Sequence, residues 1–100
     1  MNAIVTNNLH IIKDLCKKHK VDKLYAFGSI VTSKFGEKSD VDMVVKFQPI
    51  ELLQYSDNYL DLKFSLEEIL EREVDLLEEQ AIRNPYLLKS INSAKQLIYG

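Results

Sequence analysis

"FGSIVTSKFGEKSDVDMVV" runs from residue 27 to residue 45 and joins a Gly-Ser turn to two aspartates that stand one residue apart. Its last part, VDMVVKF (41–47), reads as a β-strand closed by Pro49. The two-residue strand period places Val41, Met43, Val45 and Phe47 on one face, and Asp40, Asp42, Val44 and Lys46 on the other. Ionised carboxylates on one side of a strand repel, so a positive charge must compensate Asp40 and Asp42. Upstream, KLYAF (23–27) reads as a second strand, rich in aromatics and stopped by Gly28. Residues 29–39 then form a loop or short helix between the two strands.

Around this strand–loop–strand unit the chain supplies helices. Val5, Leu9, Ile12 and Cys16 recur at three- and four-residue spacing and predict an amphipathic helix over 3–19. Leu52, Tyr55, Tyr59, Leu62, Leu66 and Ile69 predict a long helix over 50–72. EVDLL (73–77) reads as a third strand, with Val74 and Leu76 facing one way and Asp75 and Leu77 the other. A short helix carrying Tyr86, Leu87 and Ile91 follows Asn84-Pro85, and QLIY (96–99) reads as an edge strand. The order predicts a single α/β (α+β) domain over residues 1–100, a small mixed sheet with helices packed on one face and the other partly open. If Val41, Met43, Val45, Val74 and Leu76 face the helices, then Asp40, Asp42 and Asp75 emerge together on the opposite face.

Composition narrows what such a chain does. With 46% hydrophobic residues and 28% charged, the 100-residue chain is ordinary for a globular protein. Its net charge of −2 argues against direct nucleic-acid binding, which needs clustered cations. Lys17, Lys18, Lys20 and Lys23 cluster where cations favour a helix C-terminus. The lone Cys16 cannot close an internal disulfide and falls in an apolar-periodic stretch, as a small core residue does. His10 and His19 lack the spacing to pair with it and read as helix-surface residues. No apolar run spans a bilayer and no secretory signal opens the sequence, so a cytoplasmic protein without a membrane partner is expected.

Three gathered carboxylates beside a Gly-Ser turn suit one class of chemistry. Asp40 and Asp42 have Cα atoms about 6.5 Å apart, from a rise of about 3.3 Å per residue. Side chains at that spacing converge on one Mg²⁺ or share two. Asp75 either completes a second metal site or accepts the proton of an attacking hydroxyl. Gly28 permits close backbone approach, and the amides beyond it, with the Ser29 hydroxyl, donate to phosphate oxygens. These are parts of a phosphoryl or nucleotidyl transfer site. Each is common alone; Gly-Ser, ten residues and Asp-x-Asp together arise by chance on the order of once in a thousand chains of this length.

On these residues the sequence resembles the minimal nucleotidyltransferases of the DNA polymerase beta-like superfamily, whose signature is Gly-Ser-x10-Asp-x-Asp. Here it stands as Gly28-Ser29 through Asp40-Val41-Asp42, with Ser39 before the pair. EREVDLL is similar to the family's third-carboxylate strand, and IRNPYLLKSI followed by QLIYG is similar to the ending of its small prokaryotic members. The resemblance implies the polymerase beta-like fold and transfer of a nucleoside monophosphate from a nucleoside triphosphate to a hydroxyl. Asp40, Asp42 and Asp75 would be catalytic residues and metal ligands; Gly28 and Ser29 would hold the nucleotide. Two Mg²⁺ ions are implied, with Mn²⁺ an alternative. Small members are often antitoxins paired with a HEPN-domain toxin, which implies AMP transfer from ATP to a toxin tyrosine (AMPylation).

Many relatives carry Ala-Arg-Gly where this chain reads Val31-Thr32-Ser33. Lys34, and after it Lys38 or Lys46, is the substitute expected at the triphosphate, without the bidentate geometry of Arg. A domain this small has little surface to enclose a base and an acceptor, so a partner or a homo-oligomer is expected to supply a wall, with Tyr55, Tyr59 and Tyr86 suited to it. Two other readings stand beside the leading one: an antitoxin that neutralises by binding alone, and a small-molecule nucleotidyltransferase of the aminoglycoside-modifying kind.

Overall fold

Alternation in VDMVVKF is realised as β2 (Val41–Phe47), with Val41, Met43 and Val45 fully buried. The computed structural model describes residues 2–100; Met1 of the expected 1–100 domain lies outside the described residues. β2 sits inside a four-stranded sheet of order β3-β2-β1-β4, with β1 (Val21–Phe27), β3 (Val74–Glu78) and β4 (Gln96–Tyr99). β1 is antiparallel to β2 and to β4, and β3 is parallel to β2, so the sheet is mixed as the sequence predicts. A parallel pair needs a crossover, and α3 (Leu52–Leu70) provides it.

One face carries the core. Leu24, Ala26, Met43, Val45 and Leu76 pack with Val5 and Ile12 of the N-terminal helices and with Leu62 and Leu66 of α3. On the other face Val44 is only 1% exposed, so that face is closed at its middle while Asp42 and Lys46 on either side stay half-buried. There α4 (Pro85–Ala94), capped by Asn84, lies beside the turn after β1 and buries Ile91.

The edge strand β3 is held by α3. Its outward amide at Val74 donates to Glu67 Oε2 at 3.0 Å, and its outward carbonyl at Leu76 accepts from the Tyr59 hydroxyl. Two groups of an edge otherwise open to another strand are thereby bonded within the chain. Tyr59 also stacks on Tyr55, which meets Phe47 edge-on.

Three local expectations are corrected. The single helix over 3–19 is two, α1 (Ala3–Thr6) and α2 (Leu9–Lys18). Asn7 and Asn8 interrupt it, because the Asn8 side chain donates to the Ile4 carbonyl at 2.7 Å and competes with the helical ladder. The long helix is shorter at both ends, stopping where Glu71 turns left-handed at φ 55°. Most consequential, His19 is not on the surface but 2% exposed. Its Nδ1 donates to the Leu15 carbonyl at 2.7 Å, its Nε2 meets Asp61 Oδ2 at 2.6 Å, and its carbonyl accepts from Asn58 at 2.8 Å. His19 therefore ties the end of α2 to α3. Cys16 is in the core as read, and burial pushes its thiol up to about 12, which removes it as a nucleophile.

The hydrogen bond from His19 holds the Asp61 carboxyl below its ordinary 3.8. A depressed carboxylate contributes stability above 3.8 that is lost as pH falls through its lower folded value. His19→Leu is expected to lower the unfolding free energy at neutral pH, by loss of the two part-buried side-chain hydrogen bonds to the Leu15 carbonyl and Asp61. Urea denaturation checks this, and the gap from wild type should narrow below pH 3.8.

Candidate active site

β1 delivers the chain to the site and Gly28 turns it. Gly28 has φ +73°, a left-handed backbone, and opens a short 3₁₀ turn over Gly28–Val31. The antiparallel register sets Phe27 opposite Asp42, so the turn begins directly beside that carboxylate. A Cβ at Gly28 would collide with Asp42 Oδ2 and stand 3.2 Å from its Cγ. Glycine is thus required twice, for the turn and for the seat of Asp42. The Ser29 carbonyl accepts from the Thr32 amide at 2.9 Å and the Thr32 hydroxyl at 2.8 Å, which closes the turn. Thr32, at the position where the resemblance led arginine to be expected, is a turn-closing residue. Lys34 follows on the exposed loop, its amide donating to Thr32 Oγ1 at 3.2 Å.

From the other side, β3 brings Asp75 into direct register with Asp42 across the parallel pair. Neighbouring strands lie about 4.8 Å apart, so these carboxylates share one face at van der Waals range of a common ligand. Asp42 is half-buried, whereas Asp40 and Asp75 are exposed. Burial first, then the charge of Asp75, then that of Asp40, pushes the Asp42 carboxyl above its ordinary 3.8.

Among the described residues, the recorded ion pairs involve none of the three aspartates. Nor do any three His, Cys, Asp or Glu side chains converge closely enough to form a ready cation cage. The donor set still fits a hard divalent cation: oxygen ligands on adjacent strands, a seat at Gly28 that excludes a side chain, and uncompensated negative charge.

Some residues around this set were not singled out from the sequence. A cavity of about 360 Å³ is lined by Asp40, Asp75 and Val74 together with Lys63, Glu67 and Glu73. Lys63 and Glu67 stand four apart on α3, a common solvated pair, and nothing local marks them as neighbours of a strand carboxylate. Two larger clefts, each about 560 Å³, lie elsewhere, against α3 near Phe64 and at the far end of the sheet near Phe47. Neither includes Asp40, Asp42 or Asp75. Lys46, one substitute for the missing arginine, belongs to that far end: it lies about 13 Å along β2 from Asp42 and faces Asp22 at 3.9 Å. Tyr86 is exposed as expected, while Tyr55 and Tyr59 are half-buried and committed to stacking.

The family profile described as "Polymerase beta, Nucleotidyltransferase" matches residues 10–100. The chain belongs to the polymerase beta nucleotidyltransferase family. Members of this family generally use divalent metal ions, and the chain is accordingly a nucleotidyltransferase. It is 38% identical over 99 residues, 99% of its own length and 93% of the relative's, to a protein of Methanocaldococcus jannaschii named as a protein adenylyltransferase. Among solved structures it matches a minimal nucleotidyltransferase with a TM-score of 0.78 and 25% identity, covering 96% of this chain and 95% of that one. It also shares the fold of a chain from the complex of tri-AMPylated Shewanella oneidensis HEPN toxin with MNT antitoxin. There the TM-score is 0.66 at 19% identity, over 95% of this chain and 71% of that one. Among the described residues no helix is long and apolar enough to cross a membrane.

The raised Asp42 carboxyl fixes the sign of a pH effect. Below 3.8 the group is protonated folded or unfolded, and its burial costs little. As pH rises through the higher folded value, stability is lost, and the loss persists at neutral pH. Asp42→Asn in chelator-treated protein is expected to raise Tm by about 2–5 °C at pH 7 and to lose that advantage in acid below 3.8. Thermal melts across pH check it. Gly28→Ala is expected to lower Tm and nucleotide transfer together, since its Cβ displaces Asp42.

Proposed function

We propose that this chain is a Mg²⁺-dependent adenylyltransferase that moves AMP from ATP to a tyrosine hydroxyl of a HEPN-domain toxin, as the antitoxin of a pair. The observation that carries the reading is the pairing of Asp42 with Asp75 across parallel strands, beside a Gly28 turn with no room for a side chain. The relative named as a protein adenylyltransferase supports the reaction class. The AMPylated HEPN toxin found with an MNT antitoxin supports the choice of acceptor.

Asp40, Asp42 and Asp75 are the residues that would hold Mg²⁺, which when bound neutralises these carboxylates and the charge of the triphosphate. Gly28 seats Asp42 beside the turn, and the amides that follow it, with the Ser29 hydroxyl, donate to phosphate oxygens. Lys34, exposed on the loop beyond, adds a point charge at the triphosphate. The acceptor oxygen bonds to the α-phosphorus of ATP while the bond from that phosphorus to the β-bridging oxygen breaks. Pyrophosphate leaves with the electron pair, and the hydroxyl proton passes to Asp75, exposed on the edge strand where an acceptor can reach it.

Incubation with α-labelled ATP, Mg²⁺ and HEPN-domain proteins of the host is expected to label the toxin. Asp42→Asn is expected to reduce that labelling by at least about a hundredfold, while the variant stays folded and still binds the toxin. Labelling that survives Asp42→Asn would overturn the assignment of the site. Toxin that is bound and neutralised without label, by wild type and variant alike, would establish a binding antitoxin instead.

A further inference from the structure

We propose that Arg72 is a positioning residue that fixes Asp40, a role that rests on the reading of Asp40 as part of the metal-holding set. Arg72 follows the left-handed Glu71 and precedes β3, well away in sequence from the signature residues. Its Nη1 donates to two backbone carbonyls, Gly36 at 2.8 Å and Ser39 at 2.9 Å, and its guanidinium lies 4.7 Å from the Phe35 ring centre. Phe35 in turn packs on the core.

The loop so gripped joins the Ser29 turn to Asp40. Among the described residues, the other hydrogen bonds of residues 33–39 stay within the loop and its turn: Lys34 amide to Thr32, Gly36 amide to Ser39 Oγ, Ser39 amide to Gly36 carbonyl. Arg72 makes the hydrogen bonds that tie this loop to the rest of the chain. The very next residue completes the grip, because the Glu73 carbonyl accepts from the Val41 amide at 2.9 Å. Ser39 and Val41 flank Asp40, so residues 72–73 hold the backbone on both of its sides.

This matters because Asp40 has reason to move. It is exposed, at the end of a loop, and its charge acts against Asp42. Free to swing, it would relieve repulsion by leaving the site. A clamp on backbone carbonyls resists that without neutralising the carboxylate, and a planar guanidinium that stacks on Phe35 while donating twice is suited to it where Lys is not. The one arginine in this region thus serves the Asp40 loop, while position 32 closes the neighbouring turn.

The test compares wild type with Arg72→Met and Arg72→Lys; Arg72→Gln replaces the first should it fail to fold. Endoproteinase Lys-C, which cuts after Lys34 and Lys38 in this loop and ignores position 72 in the wild type, reads loop release independently of activity. Release in Arg72→Met is expected to raise loop cleavage about tenfold and to weaken Mn²⁺ binding, followed as free Mn²⁺ by electron paramagnetic resonance, by about tenfold; Arg72→Lys, which adds a Lys-C site of its own, is compared by Mn²⁺ binding alone and is expected to fall between. In the transfer assay the Mg²⁺ concentration for half-maximal rate should rise with it, while KM for ATP at saturating metal changes by less than about threefold. Unchanged loop cleavage, or lost activity with metal affinity intact, would overturn the role. Wild type that transfers no nucleotide would sink the proposed reaction alone, since cleavage and Mn²⁺ binding still decide Arg72.

Discussion

The contact between the Asp42 carboxylate and the bare backbone of Gly28 is the constraint around which the rest is arranged. It needs β1 and β2 in one register, with Phe27 opposite Asp42, so that the turn after β1 ends where the carboxylate begins. It also needs β2 to be an interior strand, because Asp75 must approach from the side that β1 does not occupy. Here the site uses three adjacent strands, one pair antiparallel (β1–β2) and one pair parallel (β2–β3), in the mixed sheet. Shifting β2 by one residue would turn Asp42 into the core and Met43 out of it, so the same alternation that buries the core also aims the carboxylate.

The site is costly and the core meets that cost. Asp42 is held half-buried against its own burial penalty and against two like charges. Val41, Met43 and Val45, on the reverse of the same strand, are fully buried against α3 and the N-terminal helices. Each such side chain contributes about 1.5–3 kcal/mol by leaving water. The helix behind the sheet adds a second service. Tyr59 and Glu67 bond two of the outward backbone groups of β3, the Leu76 carbonyl and the Val74 amide, so the strand that carries Asp75 is held from both sides although it lies at the margin of the sheet.

Much of this was legible in the sequence because it depends on short periods. The strand period predicted which of Val41, Asp42 and Met43 face together, and the resemblance carried by Gly28-Ser29 and Asp40-Val41-Asp42 indicated the family. What was not legible depends on partners remote in the chain. His19 looked like a surface residue because its burial is decided by Asp61 and Asn58, on a helix that no local pattern links to it. Arg72 gave no signal for the same reason, since its acceptors are carbonyls, which every residue possesses. The break at Asn7-Asn8 was visible in principle: paired asparagines are poor in helix interiors, and the apolar spacing across them masked it.

These remote contacts explain how a strained cluster of charge keeps its shape. Three carboxylates with no cation among them lower their energy by separating, and each could do so by a different route. Asp42 is blocked by its seat at Gly28 and by the strands on either side. Asp75 is blocked by the pinning of β3 to α3. Asp40, beyond the end of β2, has neither restraint, and the grip of Arg72 and Glu73 on its flanking backbone supplies the third. Repulsion that cannot relax by movement remains as a negative potential, and under the proposed function that potential would favour a cation, or a nucleotide arriving with one.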